Sequence, residues 1–217
     1  GDILYTLWAP TKLPAQWVSY INRAKAVVVS SKFNREVFQR SGVRCPIFIL
    51  PLGVDHEKFQ VSQAFPKGKI FAAAGRNLHG RERKGLDNVI LGFLKAFPEE
   101  TDVVLRLKEH GDCFPYHIND QRIQWIRMYL KEPEYIRFYQ EALCFVSAAT
   151  GEGWGLHQHE AMMCGKPLVS VKWGGVDMFF GGAQHGYVLP HKLATVKNYY
   201  ADGGQWATTT IEDIAKA

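Results

Sequence analysis

Residues 151–167 read Gly151-Glu-Gly-Trp-Gly-Leu-His-Gln-His-Glu-Ala-Met-Met-Cys-Gly-Lys-Pro167, and they follow directly on an apolar run, Ala142-Leu-Cys-Phe-Val-Ser-Ala-Ala149. The run predicts a buried strand, and His157 to Cys164 a short helix ended by Gly165. A strand, a glycine-dense turn and a helix in succession form the repeating unit of a parallel α/β sheet. Three glycines in five positions let the turn take φ > 0 and let its backbone approach another molecule closely. The amides around Gly155 and Leu156 point toward the helix start, which makes an anion site. Glu152 falls just beyond the carboxyl end of the strand, and Glu160 falls in the first turn of the helix. A plainer reading stays open at this point, with the glycines making only a tight turn, Glu152 solvated and Glu160 serving the helix dipole.

Working outward, strand and helix patterns alternate from Lys69 onward. Strands are predicted at Lys69 to Ala74, Val103 to Leu107, Ile123 to Met128, Cys144 to Ala148, Leu168 to Val171 and Tyr187 to Leu189. Helices are predicted at Gly85 to Phe97, with Leu86, Val89, Ile90, Phe93 and Leu94 on one face, at Tyr135 to Ala142, and from near Thr210. Six strands with crossover helices predict one doubly wound parallel sheet. Upstream lie a strand at Ile3 to Trp8, a helix at Pro14 to Asn22 and a strand at Ala26 to Ser30. A helix at Lys32 to Arg40, capped by Ser31 and closed by Gly42, and a strand at Pro46 to Pro51 complete this part. The polar stretch from Gln60 to Lys69, with Pro66 and Gly68, reads as a linker. The first ~60 residues are too few for a second doubly wound domain.

Composition narrows the function. The chain has 217 residues, 47% of them hydrophobic, enough for a sizeable core. No apolar run reaches the ~18 residues of a membrane span, and no charged-then-apolar leader opens the chain. The expected compartment is the cytoplasm, with a peripheral membrane contact left open. Gly1 in place of methionine is expected of a tag remnant or a chain trimmed from a longer reading frame. Cys45, Cys113, Cys144 and Cys164 lack the paired spacing of a zinc site and read as reduced, structural thiols. The net charge of +5 fits nucleic acid, an anionic membrane or a phosphorylated substrate equally well. Its densest cluster, Arg76-Asn-Leu-His-Gly-Arg-Glu-Arg-Lys84, lies in one loop without interleaved aromatics, so nucleic acid is not an expected partner.

Taken together, Glu152-Gly-Trp-Gly-Leu156 and Glu160-Ala-Met-Met-Cys-Gly-Lys-Pro-Leu-Val169 resemble the Glu-x7-Glu signature of retaining glycosyltransferases of the GT-B architecture, the group 1 or family 4 type. The resemblance spans almost the whole chain. It includes Trp17-Val18 with Ile21-Asn22, Val27 to Phe38, Ser41-Gly42-Val43, Pro51 to Asp55, Trp173-Gly174-Gly175, and Gly204-Gln205-Trp206 with Ile211-Glu212-Asp213. Ala74-Gly75-Arg76 followed by Lys84-Gly85 resembles the cationic pair that grips a donor diphosphate. Two positions depart from the family pattern: His157 stands where proline is common and Trp154 where phenylalanine is usual, and both bear on specificity.

The resemblance implies a Rossmann-like sheet that is one half of a GT-B enzyme. Residues 1–59 would be a remnant of the amino-terminal, acceptor-side domain and the crossover, 60–68 a linker, and 69–217 the donor-binding domain. The implied reaction moves a glycosyl group from a nucleoside diphosphate sugar to a glycan, lipid or protein acceptor, with retention of anomeric configuration. The family's full amino-terminal domain does not precede Asp2, nor does its last helix follow Ala217, so weak activity is expected of this chain alone. Arg76, Lys84, Gly155 and Leu156 would hold the diphosphate; Glu152, Gly153, Trp154 and His157 would face the sugar; Glu160 would accept from the ribose hydroxyls. Glu152 is the expected catalytic residue, orienting the ring and offsetting its oxocarbenium charge. No Asp-x-Asp is present to set a metal against the diphosphate, so neither metal nor cofactor is expected. Arg127 to Lys131 follows a strand end in the same sheet and could contact the base through its backbone, its apolar side chains reading as core, and His79, His110 and His159 read as loop or supporting residues.

Two other readings stay in view. A non-catalytic sugar-nucleotide binding module working with a partner chain would keep the same pocket. A glycosidase would use Glu152 and Glu160 as paired carboxylates, but the glycine-rich turn and the Arg76, Lys84 pair argue against it. Apolar faces in residues 2–50 lack sheet partners, and a homodimer through them is expected.

Overall fold

The computed structural model describes residues 1–62, 68–77, 83–111, 118–196 and 203–217, apart from the side chains of residues 76, 77, 110 and 111. Most of the linker reading (63–67), the loop 78–82 with His79, and Cys113 lie outside the described residues.

The amino-terminal part forms a three-stranded parallel sheet in the order β1-β2-β3, from Ile3–Thr6, Ala26–Val29 and Ile47–Ile49. Helices α1 (Ala15–Ile21) and α2 (Lys32–Arg40) connect the strands. α2 begins where sequence reading puts it, because the Ser31 hydroxyl accepts the Asn34 amide at 3.1 Å. Trp8, Ile21, Val27, Val29, Val37 and Phe38 make its core.

The larger sheet starts with β4 (Lys69–Asn77), α3 (Leu86–Ala96), β5 (Val103–Gly111), β6 (Ile123–Ile126), α4 (Glu132–Gln140) and β7 (Cys144–Ser147). It continues through α5 (Leu156–Met163), β8 (Leu168–Ser170) and β9 (Gly186–Val188). The strands lie in the order β6-β5-β4-β7-β8-β9, every neighbouring pair parallel. This is the doubly wound order, in which the chain winds outward in both directions from adjacent first and fourth strands, here β4 and β7. Period-two alternation splits the core between the faces. Leu105, Leu107 and Val146 pack against Val89, Ile90 and Phe93 of α3, while Ala72, Ala74 and Phe145 pack against Phe138 and Tyr139 of α4 and Ala161 of α5.

Several boundaries differ from the pattern reading. β4 and β5 extend to Asn77 and Gly111, beyond the apolar stretches, because each continues to pair with the other in register. α4 begins at Glu132 rather than Tyr135, since Pro133 fits a first turn and the Glu134 carboxylate accepts the Lys131 amide at 2.9 Å. A hairpin of β10 (Lys192–Thr195) and β11 (Gln205–Thr208) has no counterpart in the pattern reading. Trp206 and Val196 join the amino-terminal core rather than that of the large sheet. A closing helix, α6 (Ile211–Lys216), is capped by Thr210 and packs on α3.

Candidate functional site at the switch point

The segments leaving β4 and β7 at their carboxyl ends are locked to one another. Thr150 N–H donates to the Arg83 carbonyl at 2.8 Å, and the Arg83 guanidinium donates to the Gly151 carbonyl at 3.1 Å. Gly85, which opens α3 at φ 60°, passes so close that an added Cβ would stand 2.2 Å from the Ala148 carbonyl oxygen. Only glycine combines that φ with that contact. The crevice above adjacent, oppositely winding strands is where sheets of this order bind ligands.

At this switch point the structure brings Lys84 and Glu152 together, with Gly155 and Leu156 at the start of the helix that follows. Lys84 Nζ donates to Glu152 Oε1 at 2.6 Å, their side chains 13% and 11% exposed. Arg83 Nη1 lies 3.7 Å from Glu152 Oε2. Burial by itself pushes the Glu152 carboxyl up, but the neighbouring Lys84 ammonium and Arg83 guanidinium outweigh it and hold the group below its ordinary value. Glu152 is therefore a carboxylate. Gly155 caps α5 at φ 99° and offers no side chain to the first-turn amides, so the helix start stays available to an anion. Arg76 is the next-to-last residue of β4, and its side chain is outside the described set.

The Glu160 surroundings are more specific than sequence reading foresaw. The hydroxyls of Tyr135 and Tyr139 both donate to Glu160 Oε2, each at 2.6 Å. His157 Nδ1 is 3.1 Å from the Tyr135 hydroxyl, 2.9 Å from that of Tyr139 and 3.6 Å from Glu160 Oε2. Burial raises the Glu160 carboxyl, and the hydrogen bonds from His157 and the two tyrosines bring it below its usual value. Burial, with Glu160 nearby, drives both tyrosines upward and keeps them protonated.

Trp154 and Gly153 stand apart from this cluster. The Trp154 indole N–H donates to His159 Nδ1 at 3.2 Å, and its ring lies 5.4 Å from that of Phe179, on which His159 stacks at 4.6 Å. Burial lowers the His159 pKa, against a smaller opposing pull from Glu160, consistent with a neutral ring that accepts at Nδ1. The Gly153 carbonyl accepts the Ser30 hydroxyl at 2.8 Å, and an added Cβ would meet Leu7 Cβ at 2.7 Å. Both residues fasten the turn to its surroundings. The residues that pattern reading missed are Arg83, Tyr135 and Tyr139. Arg83 lay inside the basic cluster, and the tyrosines' spacing of four was a visible sign that they share a helix face.

An apolar cavity of about 410 Å³ opens elsewhere, between α3, α6 and the strands, lined by residues such as Phe71, Phe93, Val146, Leu168, Tyr187 and Ile214. It shares no residue with the charged cluster. Among the described residues no three His, Cys, Asp or Glu gather as a metal site, and no helix is long and apolar enough to cross a membrane.

Comparison with known proteins returns one architecture. A S. aureus TarM mutant in complex with Fondaparinux, alpha-GlcNAc-glycerol and UDP superimposes with a TM-score of 0.67 at 16% identity, over 98% of this chain and 44% of that one. The pneumococcal O-GlcNAc transferase GtfA, in complex with UDP and GlcNAc, gives 0.64 at 21% identity over 82% and 36%. Sucrose-phosphate synthase from Thermosynechococcus elongatus gives 0.63 at 18% over 80% and 47%. The chain thus spans less than half the length of each of these three proteins. No curated protein matches it in sequence. Residues 55–198 match the family described as Glycosyl transferases group 1.

Proposed function

Because the chain belongs to the glycosyl transferases group 1 family and its large sheet is the Rossmann-like half of a GT-B architecture, we propose that it supplies the donor-binding half of a retaining glycosyltransferase acting on a nucleoside diphosphate sugar. The observation that carries this is Glu152, held ionised between Lys84 and Arg83 beside the bare start of α5.

Breaking the bond from the anomeric carbon to the leaving oxygen puts positive charge on the sugar ring and negative charge on the departing diphosphate. Lys84, Arg83, Arg76 and the α5 amides meet the negative charge, and a charge-assisted contact of this kind contributes ~3 kcal/mol to a transition state. Glu152 faces the positive charge. Before ligand enters, Lys84 and Glu152 neutralise one another; an incoming diphosphate takes over the ammonium and leaves the carboxylate to the sugar hydroxyls. Glu160 Oε1 is the atom left for the ribose, Oε2 being occupied by two hydroxyls. With cations and helix amides opposing the diphosphate, transfer proceeds without a metal. The UDP in the TarM and GtfA complexes supports a nucleoside diphosphate as the ligand class.

The solved GtfA/B complex favours a second reading, in which this chain binds the sugar nucleotide without catalysis and acts with a partner chain that meets the acceptor. Calorimetry with uridine, guanosine and adenosine diphosphates and their hexose conjugates, in chelator, tests the shared part. Binding that is lost in Lys84→Ala supports it, and no binding to any of them sinks it. Slow hydrolysis of the bound donor, seen by mass spectrometry and abolished in Glu152→Gln, separates the enzyme from the passive module.

A further inference from the structure

Both hydroxyl protons in the Tyr135, Tyr139, His157 and Glu160 cluster are spoken for. Glu160 is acceptor-only when ionised, and two O–H···O distances of 2.6 Å to the same Oε2 are the lengths of charge-assisted bonds. If either tyrosine turned its proton to the other, whose oxygen is 2.8 Å away, its own lone pairs would face the carboxylate at 2.6 Å. Each tyrosine oxygen therefore shows only lone pairs to His157 Nδ1, at 2.9 and 3.1 Å. A bare Nδ1 in that position would be repelled from two sides. Nδ1 must carry a proton, and the ring's other nitrogen, Nε2, has no protein partner among the described residues.

The cluster is held from behind. Tyr139 is fully buried, its ring 5.7 Å from that of Phe145, and Phe59 meets both tyrosine rings edge-on at 6.1 and 6.2 Å. The hydroxyls cannot swing away without opening this packing. His157 keeps a partly exposed side chain on the first turn of α5, two residues from Gly155.

We propose that Tyr135 and Tyr139 are positioning residues that, through Glu160, fix His157 in its Nδ1–H tautomer and so present Nε2 to the crevice as a hydrogen-bond acceptor. A neutral imidazole held this way accepts from a hydroxyl and cannot donate to a phosphate oxygen. His157 thus selects a hydroxyl of the transferred sugar rather than the diphosphate, an assignment that rests on the nucleoside diphosphate sugar reading above. The tautomer itself stands on the protein's atoms alone.

Nitrogen-15 NMR of ring-labelled protein, with the His157 signals identified by their absence in His157→Gln and read where the spectrum itself shows a neutral ring, reports the tautomer directly. The expected pattern is a proton on Nδ1 and a bare Nε2 in the wild type, shifting toward mixed tautomers in Tyr135→Phe/Tyr139→Phe. A wild-type Nε2–H signature overturns the proposal, as does a folded double variant that keeps the Nδ1–H signature. If the double variant does not fold, the wild-type spectrum still decides. Uridine or guanosine diphosphate hexose is expected to shift the Nε2 resonance while the matching nucleoside diphosphate leaves it in place. An equal shift with both overturns the choice of hydroxyl over phosphate. A Nδ1–H signature in a protein that binds no sugar nucleotide would strike the functional reading and leave the tautomer intact.

Discussion

Lys84 Nζ and Glu152 Oε1 lie 2.6 Å apart although they are 68 residues apart in sequence, one just before the Gly85 cap of α3 and the other within the turn between β7 and α5. The pair joins the two strands at which the winding of the sheet reverses. Removing one member leaves a largely buried charge facing little but Arg83 at 3.7 Å. Lys84→Met is expected to cost about 3 kcal/mol of unfolding free energy, read by urea denaturation at pH 7. Lys84→Met/Glu152→Gln should recover much of that loss, because no bare charge remains. A double variant as unstable as the single one would show that the pair is not what the crevice relies on.

The same pair sets an acid limit. Glu152 and Glu160 both have carboxyls held below the ordinary value of 4.5. The unfolded state then takes up protons before the folded state does. Their stabilising contribution is complete above the unfolded value and drains as pH falls through the folded ones. Unfolding free energy should drop on acidification below about pH 4.5, and Glu152→Gln should flatten that fall. Denaturation midpoints from pH 6 to pH 3 measure both slopes.

Gly85 is a steric prediction. Alanine at φ 60° costs about 1 kcal/mol on conformational grounds, and its methyl would also press on the Ala148 carbonyl 2.2 Å away. Gly85→Ala should therefore lower the melting temperature clearly and, by parting the two segments, weaken diphosphate binding along with it. Gly203→Ala, also at positive φ but with nothing within 4 Å, serves as the control: it carries the conformational cost without the clash and should leave binding unchanged.

How far the sequence carried this picture depends on the range of the signal. The six strands of the large sheet, the Ser31 cap and the strand–turn–helix around Glu152 were legible because apolar runs, capping residues and glycines act over a few residues. The β10–β11 hairpin was not, since Leu193 is exposed and Trp206 buries itself among residues of the amino-terminal core, from Trp8 to Val43, at the far end of the chain. Glu152 and Glu160 could be named as a pair, yet their partners could not. Lys84 reaches Glu152, and Tyr135 reaches Glu160, only after the sheet has set β4 beside β7 and α4 beside α5. Trp154 shows the same limit, since nothing in the glycine-rich turn foretells that His159 and Phe179 draw its ring inward.

The amino-terminal sheet displays an apolar face. Ile3 and Tyr5 on β1 and Phe48 and Leu50 at β3 are 68, 48, 58 and 60% exposed, and the parallel register puts Tyr5 opposite Val28 and Val28 opposite Phe48 on one side. Self-association through residues 2–50 would give this surface a cover. Light scattering is expected to find a dimer, and Phe48→Glu, at a position that contributes nothing to the buried core, to find a monomer with an unchanged melting temperature at low concentration. A wild type that stays monomeric at high concentration excludes the pairing.

Lys108 tests the interior. It lies on β5 between Leu107 and Glu109 and is only 5% exposed, and its ammonium nitrogen is buried without a hydrogen-bond partner among the described residues. Burial lowers its pKa from the ordinary 10.5. An unmet buried donor costs about 1–3 kcal/mol, so Lys108→Met, which keeps the length of the stem, should raise the unfolding free energy by about that much at pH 7. The gain should shrink as the solution becomes alkaline. Between the depressed folded value and 10.5 the unfolded chain holds a proton that the folded one has released, so wild-type stability climbs with pH while that of the variant does not. Paired denaturation curves at pH 7 and pH 10 check the sign. A variant no more stable than wild type at pH 7 would mean that the ammonium already has the solvation it needs.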